Sequence, residues 1–461
     1  MSTRLALLHW GDLIEDYLEL VDLSLDVFRE EVTGGWMFGY VEALRRAGVE
    51  TVLFVVTDSV AEIERKRHGP TGATMVLVPA AKAYLATRRL LADPQAWRAR
   101  DAVAGQTLPR TLAGLAAHQL APYLATPVRT LADAIRRERC SALLCQEYEH
   151  ARFDAAVATG RLLRLPVFAT FQGGKTQRVA LERPLRQLSM RACAGLVVGS
   201  ASEIARVRAR YRVPQRKIAQ IFNPLDFAAW SGVDREGGRT ELRIPTDACV
   251  VGWHGRVEID HKGLDLLVEA IRQLRAAREV VLLLVGGGAD VEPLRRLIAQ
   301  AELDVRFVDE FVRDRTRLAR YLSACDVYAL ASRREGFPVA PVEAMACGVP
   351  VVAADVPGID EILAGGETGG GVIVPREDPA ALADALARLL DDEPLRQELG
   401  RRARRRAETA FSLDAVGSQL REFLIDRRPA APPGTPARES ASASPPPPRA
   451  NPAGSDAGRG A

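Results

Sequence analysis

The sequence is poor in features that mark membrane-spanning, secreted or nucleic-acid-binding proteins. Its 461 residues contain no apolar run near the ~18 to 20 residues that cross a bilayer. The N-terminus lacks a basic segment followed by an apolar one, so no signal peptide is indicated and a cytoplasmic location is expected. Lys and Arg number 62 against 59 Asp and Glu, and a net charge of +3 argues against nucleic acid as the main partner.

Cysteine and lysine are both scarce. None of the six cysteines belongs to a C-x-x-C pair, and most lie in apolar runs, which predicts reduced thiols packed in a core. No histidine or carboxylate pattern has the spacing of a metal site, so we expect neither a metal nor a cofactor. Only five of the 62 basic residues are lysines, which makes a lysine inside a motif informative.

Short apolar runs alternate with helical stretches along most of the chain. This pattern predicts parallel sheets with helical crossovers, in an α/β fold of two doubly wound Rossmann-like domains that face each other across a cleft. The predicted strands of the first half are 5–9, 51–56, 142–145, 166–170, 195–198 and 218–221. Those of the second half are 249–254, 280–285, 305–308, 327–331, 350–354 and 371–374.

The domain boundaries follow from changes in composition. We predict a first domain over 1–222, a linker rich in Gly and Pro over 223–248, and a second domain over 249–427. Within the first domain, apolar runs and helical stretches alternate poorly over 60–115, and this stretch is interpreted as an insertion or excursion of the domain. The last 34 residues, 428–461, hold nine of the 28 prolines and no Val, Ile, Leu, Met or aromatic residue, which predicts a disordered tail.

In open α/β sheets, ligands bind beyond the carboxyl ends of the strands. The strand at 249–254 is followed by Gly255 and Arg256, and Lys262 comes six residues later in the same loop. A guanidinium and an ammonium suit a diphosphate, although a solvated basic loop is the simpler interpretation of such a pair alone. Gly286 and Gly287 follow the next strand and allow close backbone approach, or mark an ordinary tight turn.

The segment 332–353 gives the strongest indication of a ligand-binding site. A strand end is followed by Glu335, Gly336, Phe337 and Pro338, and then by a predicted helix that carries Glu343. A helix N-terminus at a sheet edge favours an anion, and carboxylates accept hydrogen bonds from sugar hydroxyls. Two solvated glutamates on a helix are the alternative, but the apolar residues around Glu343 argue against it.

This segment resembles the E-x7-E signature of retaining glycosyltransferases with the GT-B fold, most like glycosyltransferase family 4. Gly255-Arg256 with Lys262-Gly263 is similar to the family's phosphate-binding element. The resemblance covers about 195–425 well and 1–195 loosely. It implies that the donor is a nucleotide-diphosphate sugar and that no metal takes part.

The resemblance also implies roles for single residues. Arg256 and Lys262 would hold the pyrophosphate, and Glu343 would accept hydrogen bonds from the ribose. Glu335, with the backbone of the three residues that follow it, would position the donor sugar.

The first half matches the family less closely. Gly34 and Gly35 stand where the family has a glycine-rich loop, and His150 follows a strand on the expected acceptor side. Gln172 replaces a histidine of the family's pattern; it can donate and accept hydrogen bonds but cannot shuttle a proton. A helix over 178–194 with several arginines either packs on the sheet or contacts an anionic membrane.

Together these observations predict a retaining hexosyltransferase that uses a hydroxyl acceptor, which is a glycan, a lipid-linked acceptor or a small molecule. Two alternatives remain open: a nucleotide-sugar-binding protein without catalysis, and a nucleotide-sugar epimerase on the same fold.

Overall fold

A computed structural model describes residues 3–9, 11–20, 23–33, 35–96, 98–173, 179–230 and 234–426. The tail predicted to be disordered, 428–461, lies outside these residues.

The first sheet has eight strands and is parallel except at one edge. Its strands are β1 Thr3–Leu8, β2 Val49–Thr57, β3 Glu64–Arg67, β4 Thr74–Pro79, β5 Ala142–Gln146, β6 Val167–Thr170, β7 Gly195–Val198 and β8 Ile218–Gln220. They lie in the order β3-β4-β2-β1-β5-β6-β7-β8, and only β3 runs antiparallel to its neighbour. The order reverses beside β1, so a crevice opens beyond the carboxyl ends of β1 and β5.

The second sheet has six parallel strands. They are β9 Cys249–His254, β10 Val280–Val285, β11 Asp304–Val308, β12 Val327–Leu330, β13 Val351–Ala354 and β14 Gly371–Val374. Their order is β11-β10-β9-β12-β13-β14, which reverses between β9 and β12. Every residue of β10 is buried, as expected for an interior strand covered by helices on both faces.

Helices connect and cover the strands of both sheets. In the first half they are α1 Ile14–Leu20, α2 Leu25–Glu30, α3 Gly35–Arg46, α4 Lys82–Arg88, α5 Ala99–Ala102, α6 Leu108–Leu124, α7 Val128–Arg137, α8 Ala151–Leu163, α9 Glu182–Ala192 and α10 Ala201–Tyr211. In the second half they are α11 Arg235–Glu241, α12 Ile259–Lys262, α13 Leu264–Arg275, α14 Val291–Gln300, α15 Arg315–Ser323, α16 Ala340–Ala346, α17 Ile359–Leu363, α18 Pro379–Asp391, α19 Glu393–Phe411 and α20 Leu413–Arg421.

The predicted fold class is confirmed, and each of the twelve predicted strands is present within two residues of its expected bounds. The sequence prediction missed β3 and β4, which lie inside the supposed insertion 60–115. The burial pattern explains β3: its four residues are Glu, Arg, Lys and Arg, and none of them is buried. Charged residues of this kind protect an exposed sheet edge and leave no apolar pattern to detect.

The stretch predicted as a linker, 223–248, is more than a connection. Trp230 is fully buried with Leu242 and Ile244 in the core of the second sheet, and Arg239 is buried in an ion pair with Asp326. The glycines that suggested a flexible loop instead allow α11 to approach α15 closely, since a Cβ on Gly238 would lie 2.3 Å from a carbonyl oxygen of α15. The predicted boundary between the domains therefore stays a prediction.

The end of the described chain returns to the first sheet. Ser412 caps α20 by accepting a hydrogen bond from the backbone N–H of Ala415, and α20 packs on α3. A π-helical turn follows, in which Phe423 packs edge-on against Phe168 of β6 with ring centroids 5.5 Å apart. The segment that leaves the first half near Leu225 lies beside the segment that returns to it near Phe411, because the N–H of Leu225 donates to the carbonyl of Phe411 at 2.7 Å.

None of the described helices combines the length with the apolarity that a membrane span needs.

Candidate functional site

The second sheet brings Lys262 and Glu335 into direct contact. Lys262 ends α12 and Glu335 follows β12, and their side chains form an ion pair of 2.8 Å with most of both side chains buried. The turn at Gly263 makes the contact possible: its φ is +60°, and a Cβ there would lie 2.0 Å from the carbonyl oxygen of Ala331. Only glycine fits this left-handed, crowded position.

Further hydrogen bonds fix the loop that carries Glu335. The Ser332 hydroxyl donates to Glu335 Oε1 at 2.7 Å, so this oxygen is shared between Ser332 and Lys262. Arg333 forms a two-pronged ion pair with Asp265 at the start of α13, with distances of 2.7 and 2.8 Å. Although burial acts to raise it, the hydrogen bond from Arg333 holds the pKa of Asp265 below its usual range. These contacts join the two strand-end loops into one unit.

Glu343 lies in the first turn of α16, where a carboxylate is favoured by the helix dipole. Its Oε2 is 2.7 Å from Nε2 of His254, the last residue of β9. The side chain of Glu343 is mostly buried, so the expectation that it is not a solvated surface glutamate is confirmed. His254 was not singled out in the sequence, because its partner is 89 residues away.

Arg256 has a different environment from Lys262. Its side chain is 74% exposed and pairs with Glu258 at 3.1 Å. It also lies near Tyr17 of α1, in the first half: burial raises the pKa of the Tyr17 phenol, and the Arg256 charge partly offsets that rise. Arg256 therefore faces the first half of the protein and has room to move.

The glycines that follow β9 and β10 hold two loops together. The Gly255 N–H donates to Val285 O at 3.0 Å, and the Gly287 carbonyl accepts from Val257 N–H at 2.9 Å. The Gly286 N–H donates to Val308 O at 2.9 Å, so it is already engaged in the sheet. A Cβ on Gly286 would lie 1.8 Å from the Gly255 carbonyl oxygen, which shows how closely the loops approach.

A narrow pocket separates the loops of the two halves. From the second half it is lined by Gly336 and Phe337, and from the first half by Phe171, Gln172, Gly173, Gly199 and Ser200. The ring of Phe337 stacks on Phe222 with centroids 5.3 Å apart, and Pro338 is buried beside it. Since its ring packs at this junction, Phe337 offers mainly its backbone to a ligand.

Gln172 lies in this pocket, and hydrogen bonds fix its amide. Its Oε1 accepts from the Asn223 amide at 3.1 Å, and its backbone N–H donates to Glu147 Oε2 at 3.1 Å. Glu147 is buried and has a φ of +77°, an uncommon conformation for a residue with a side chain. Strained residues of this kind cluster at functional sites, but a sequence carries no signal for them.

The remaining acceptor-side predictions have separate outcomes. His150 is half-buried at the N-cap position of α8, and it is not among the residues that line the pocket. Gly35 begins α3, whereas Gly34 lies outside the described residues.

A buried charge network replaces part of the arginine-rich face expected over 178–194. Arg186 is fully buried and pairs with Asp154 at 3.1 Å and with Glu149 at 3.4 Å. Glu149 also accepts a hydrogen bond from the Tyr211 hydroxyl at 2.7 Å. The interpretation that Arg186 faces a membrane is therefore wrong, since a buried guanidinium needs carboxylate partners rather than lipid. Arg183 is exposed, as that interpretation required.

Comparison with known proteins agrees with this geometry. Residues 234–406 match the model of glycosyl transferases group 1. The matched region contains Arg256, Lys262, Glu335 and Glu343, so the cluster belongs to the part of the chain that is similar to this family.

Relatives of known name match a little under half of the chain. The D-inositol 3-phosphate glycosyltransferase of Corynebacterium efficiens is 35% identical over 237 residues, which are 49% of this chain and 54% of the relative. The protein of the same name from Stackebrandtia nassauensis is 34% identical over 215 residues, 44% of this chain and 48% of the relative. The chain thus spans about half the length of the curated relatives it matches.

Solved structures match nearly the whole chain. Sucrose-phosphate synthase from Thermosynechococcus elongatus has a TM-score of 0.64 and 21% identity, over 91% of this chain and 98% of that one. Anabaena HepE in complex with UDP and glucose has a TM-score of 0.61 and 17% identity over the same shares. At these identities the likeness concerns the fold, which is the GT-B arrangement of two parallel-sheet α/β domains.

Proposed function

We propose that the chain is a retaining, metal-independent glycosyltransferase. It transfers a hexose from a nucleotide-diphosphate sugar to a hydroxyl acceptor. The observation that carries the proposal is the contact between Lys262 and Glu335 at the carboxyl edge of the second sheet. The match to glycosyl transferases group 1 over the same residues supports it.

The chemistry follows from the charges at this edge. Arg256 and Lys262 hold the pyrophosphate, and Glu335 accepts a hydrogen bond from a hydroxyl of the donor sugar. The bond between the anomeric carbon and the phosphate oxygen breaks, and the acceptor oxygen forms its bond on the same face of the sugar. The acceptor proton passes to the departing phosphate oxygen. Cations placed at a departing phosphate stabilise the charge that develops in the transition state.

The acceptor binds on the opposite side of the pocket, beside Gln172. Because the amide of Gln172 is held by Asn223, it orients a hydroxyl without taking its proton. His150 remains a candidate further along the acceptor side, at the start of α8.

Product analysis tests this function. The protein is incubated with UDP-, GDP- and ADP-hexoses and a panel of hydroxyl acceptors. UDP-glucose and D-inositol 3-phosphate come first, because HepE, which has a similar fold, was solved with UDP-glucose, and the matched relatives are named for D-inositol 3-phosphate. We expect acceptor-dependent release of nucleoside diphosphate, a product whose anomeric configuration by proton NMR equals that of the donor, and full activity in EDTA. Binding without release would indicate a non-catalytic binder, and isomerised sugar without acceptor would indicate an epimerase.

We also propose that an anionic lipid surface is a partner of the first half. Exposed leucines lie on α6, on α9 and at Leu181, directly before α9. The two elements meet where the Ala180 N–H donates to Gln119 Oε1 at 3.0 Å. The exposed leucines of this leucine surface are Leu108, Leu112, Leu120, Leu181, Leu185 and Leu188, and they are 37 to 74% exposed.

The charge around the leucine surface selects the partner. Arg110, Arg183 and Arg191 are exposed there, whereas Glu182 is buried and α6 contains no acidic residue. Leucines surrounded by arginines suit anionic headgroups above an acyl layer. A symmetric contact with a second copy would place these arginines against one another, which is unfavourable.

Vesicle sedimentation tests this partner. We expect binding to phosphatidylglycerol vesicles, little binding to phosphatidylcholine vesicles, and loss of binding in a Leu112→Ser/Leu188→Ser variant. Equal binding by the variant, or no binding by the native protein, would contradict the proposal. A concentration-dependent dimer in size-exclusion chromatography that the same variant abolishes would assign the surface to a second copy instead.

A further inference from the structure

His254 at the end of β9 contacts Glu343 of α16. His254 is the last residue of β9, directly before Gly255 and Arg256, and its side chain is 8% exposed. Its Nε2 lies 2.7 Å from Glu343 Oε2. One carboxylate oxygen of the predicted ribose-binding residue is therefore already bound by the protein.

Tyr328 holds His254 in place on two sides. The two rings pack edge to face, with centroids 5.4 Å apart and an angle of 67°. The Tyr328 hydroxyl donates to the His254 carbonyl at 3.2 Å, and it accepts from the His254 N–H at 3.4 Å. Both the ring and the backbone of His254 are thus held in place, so its Nε2 has a fixed position relative to Glu343.

The other ring nitrogen identifies the tautomer. Nδ1 of His254 is buried and has no hydrogen-bond partner in the part of the chain that the structure describes. A proton on Nδ1 would be a buried donor without an acceptor, whereas a proton on Nε2 points at a carboxylate oxygen. The geometry therefore places a proton on Nε2, where it is donated to Oε2 of Glu343.

We infer that His254 is a positioning residue for recognition of the donor's ribose. Its Nε2–H occupies Oε2 of Glu343 and fixes the carboxylate plane, so that Oε1 is presented to the ribose hydroxyls. This inference rests on the proposed function, because it takes Glu343 as the residue that binds ribose. Among the described residues, Glu343 has its one side-chain hydrogen bond with His254, so Oε1 is left for the ligand.

Selectivity between ribose and deoxyribose follows from this arrangement. A carboxylate of fixed orientation gains from the 2'-hydroxyl, whereas a carboxylate that rotates pays an ordering cost that cancels part of the gain. Loss of His254 should therefore weaken binding of a ribonucleotide much more than binding of its 2'-deoxy analogue. A residue that only supports packing would weaken both equally.

The experiment compares UDP with 2'-deoxy-UDP by isothermal titration, with GDP and ADP and their deoxy forms as further pairs. His254→Phe keeps a ring but has no donor, and His254→Gln keeps an N–H donor at about the reach of Nε2. We expect His254→Phe to bind UDP about 10-fold more weakly and 2'-deoxy-UDP less than 2-fold more weakly. His254→Gln should recover most of the preference for UDP.

In the Glu343→Gln background, His254→Phe should change the ratio of the two affinities little, because the carboxylate is already gone. In turnover, His254→Phe should raise the donor KM with little change in kcat. An unchanged UDP to 2'-deoxy-UDP ratio in His254→Phe, or in His254→Asn if the first variant does not fold, would overturn the inference. Failure of the native protein to bind any nucleoside diphosphate would overturn the proposed function as well.

Discussion

Replacement of Lys262 by alanine tests the charge cluster most directly. Its ammonium group is mostly buried and pairs with Glu335 at 2.8 Å. At about 4 Å and an effective dielectric constant of ~20, a pair of unit charges interacts by about 4 kcal/mol. If Lys262 is replaced by alanine, a departing phosphate at that distance loses an interaction of this size in the transition state. Water and dissolved cations would replace part of it.

We therefore expect Lys262→Ala to lower kcat by at least ~100-fold, which corresponds to about 2.7 kcal/mol. The assay is steady-state release of nucleoside diphosphate in the presence of acceptor. Arg334→Ala is the matched control, because Arg334 belongs to the same loop but its ion pair with Asp260 is largely exposed, and pairs of that kind contribute little. A kcat within 5-fold of the native value in a folded Lys262→Ala protein would refute the assigned role.

Three further predictions use other parts of the structure. Gly286→Ala should unfold at a lower temperature and bind nucleotide poorly, since its Cβ would meet a carbonyl oxygen at 1.8 Å, whereas the neighbouring Gly287→Ala has 3.7 Å of room and should melt like the native protein in a thermal shift assay. Arg186→Met should lower the free energy of unfolding by about 3 to 5 kcal/mol in urea titrations, because it leaves the buried carboxylate of Asp154 without its cation, while Glu149 keeps its ion pair with Arg206; a loss below 1 kcal/mol would contradict this. Five of the six cysteines are buried, and burial raises the pKa of the Cys145 thiol to about 12, so iodoacetamide at pH 8 should modify Cys249 first, as mass spectrometry of the native protein would reveal.

Local patterns in the sequence were sufficient to predict most of the fold. Runs such as the six apolar residues of β10 identify an interior parallel strand without further information. The same rule missed β3, because an edge strand made of charged residues has no apolar pattern. It did not anticipate α11 within the stretch 223–248, because glycines at a close helix contact have the same composition as a loop.

The candidate site was predictable only in part. Lys262 and Glu335 were predicted to bind one donor from two strand-end loops, whereas their direct ion pair of 2.8 Å was not predicted. The environments of His254 and Arg186 could not be predicted from the sequence, since each of these residues pairs with a partner far away along the chain. A lone histidine or arginine has the same appearance in a sequence whether it is buried in a pair or exposed to water.

The paired crossing at Leu225 and Phe411 has a mechanical consequence. Two neighbouring strands of backbone, joined by a hydrogen bond of 2.7 Å, connect the halves of the molecule. A single tether would allow the halves to swivel freely, whereas two adjacent tethers act as a hinge with one preferred axis. Any relative motion of the two halves is therefore expected to be a bend about the axis through these two segments rather than a free rotation.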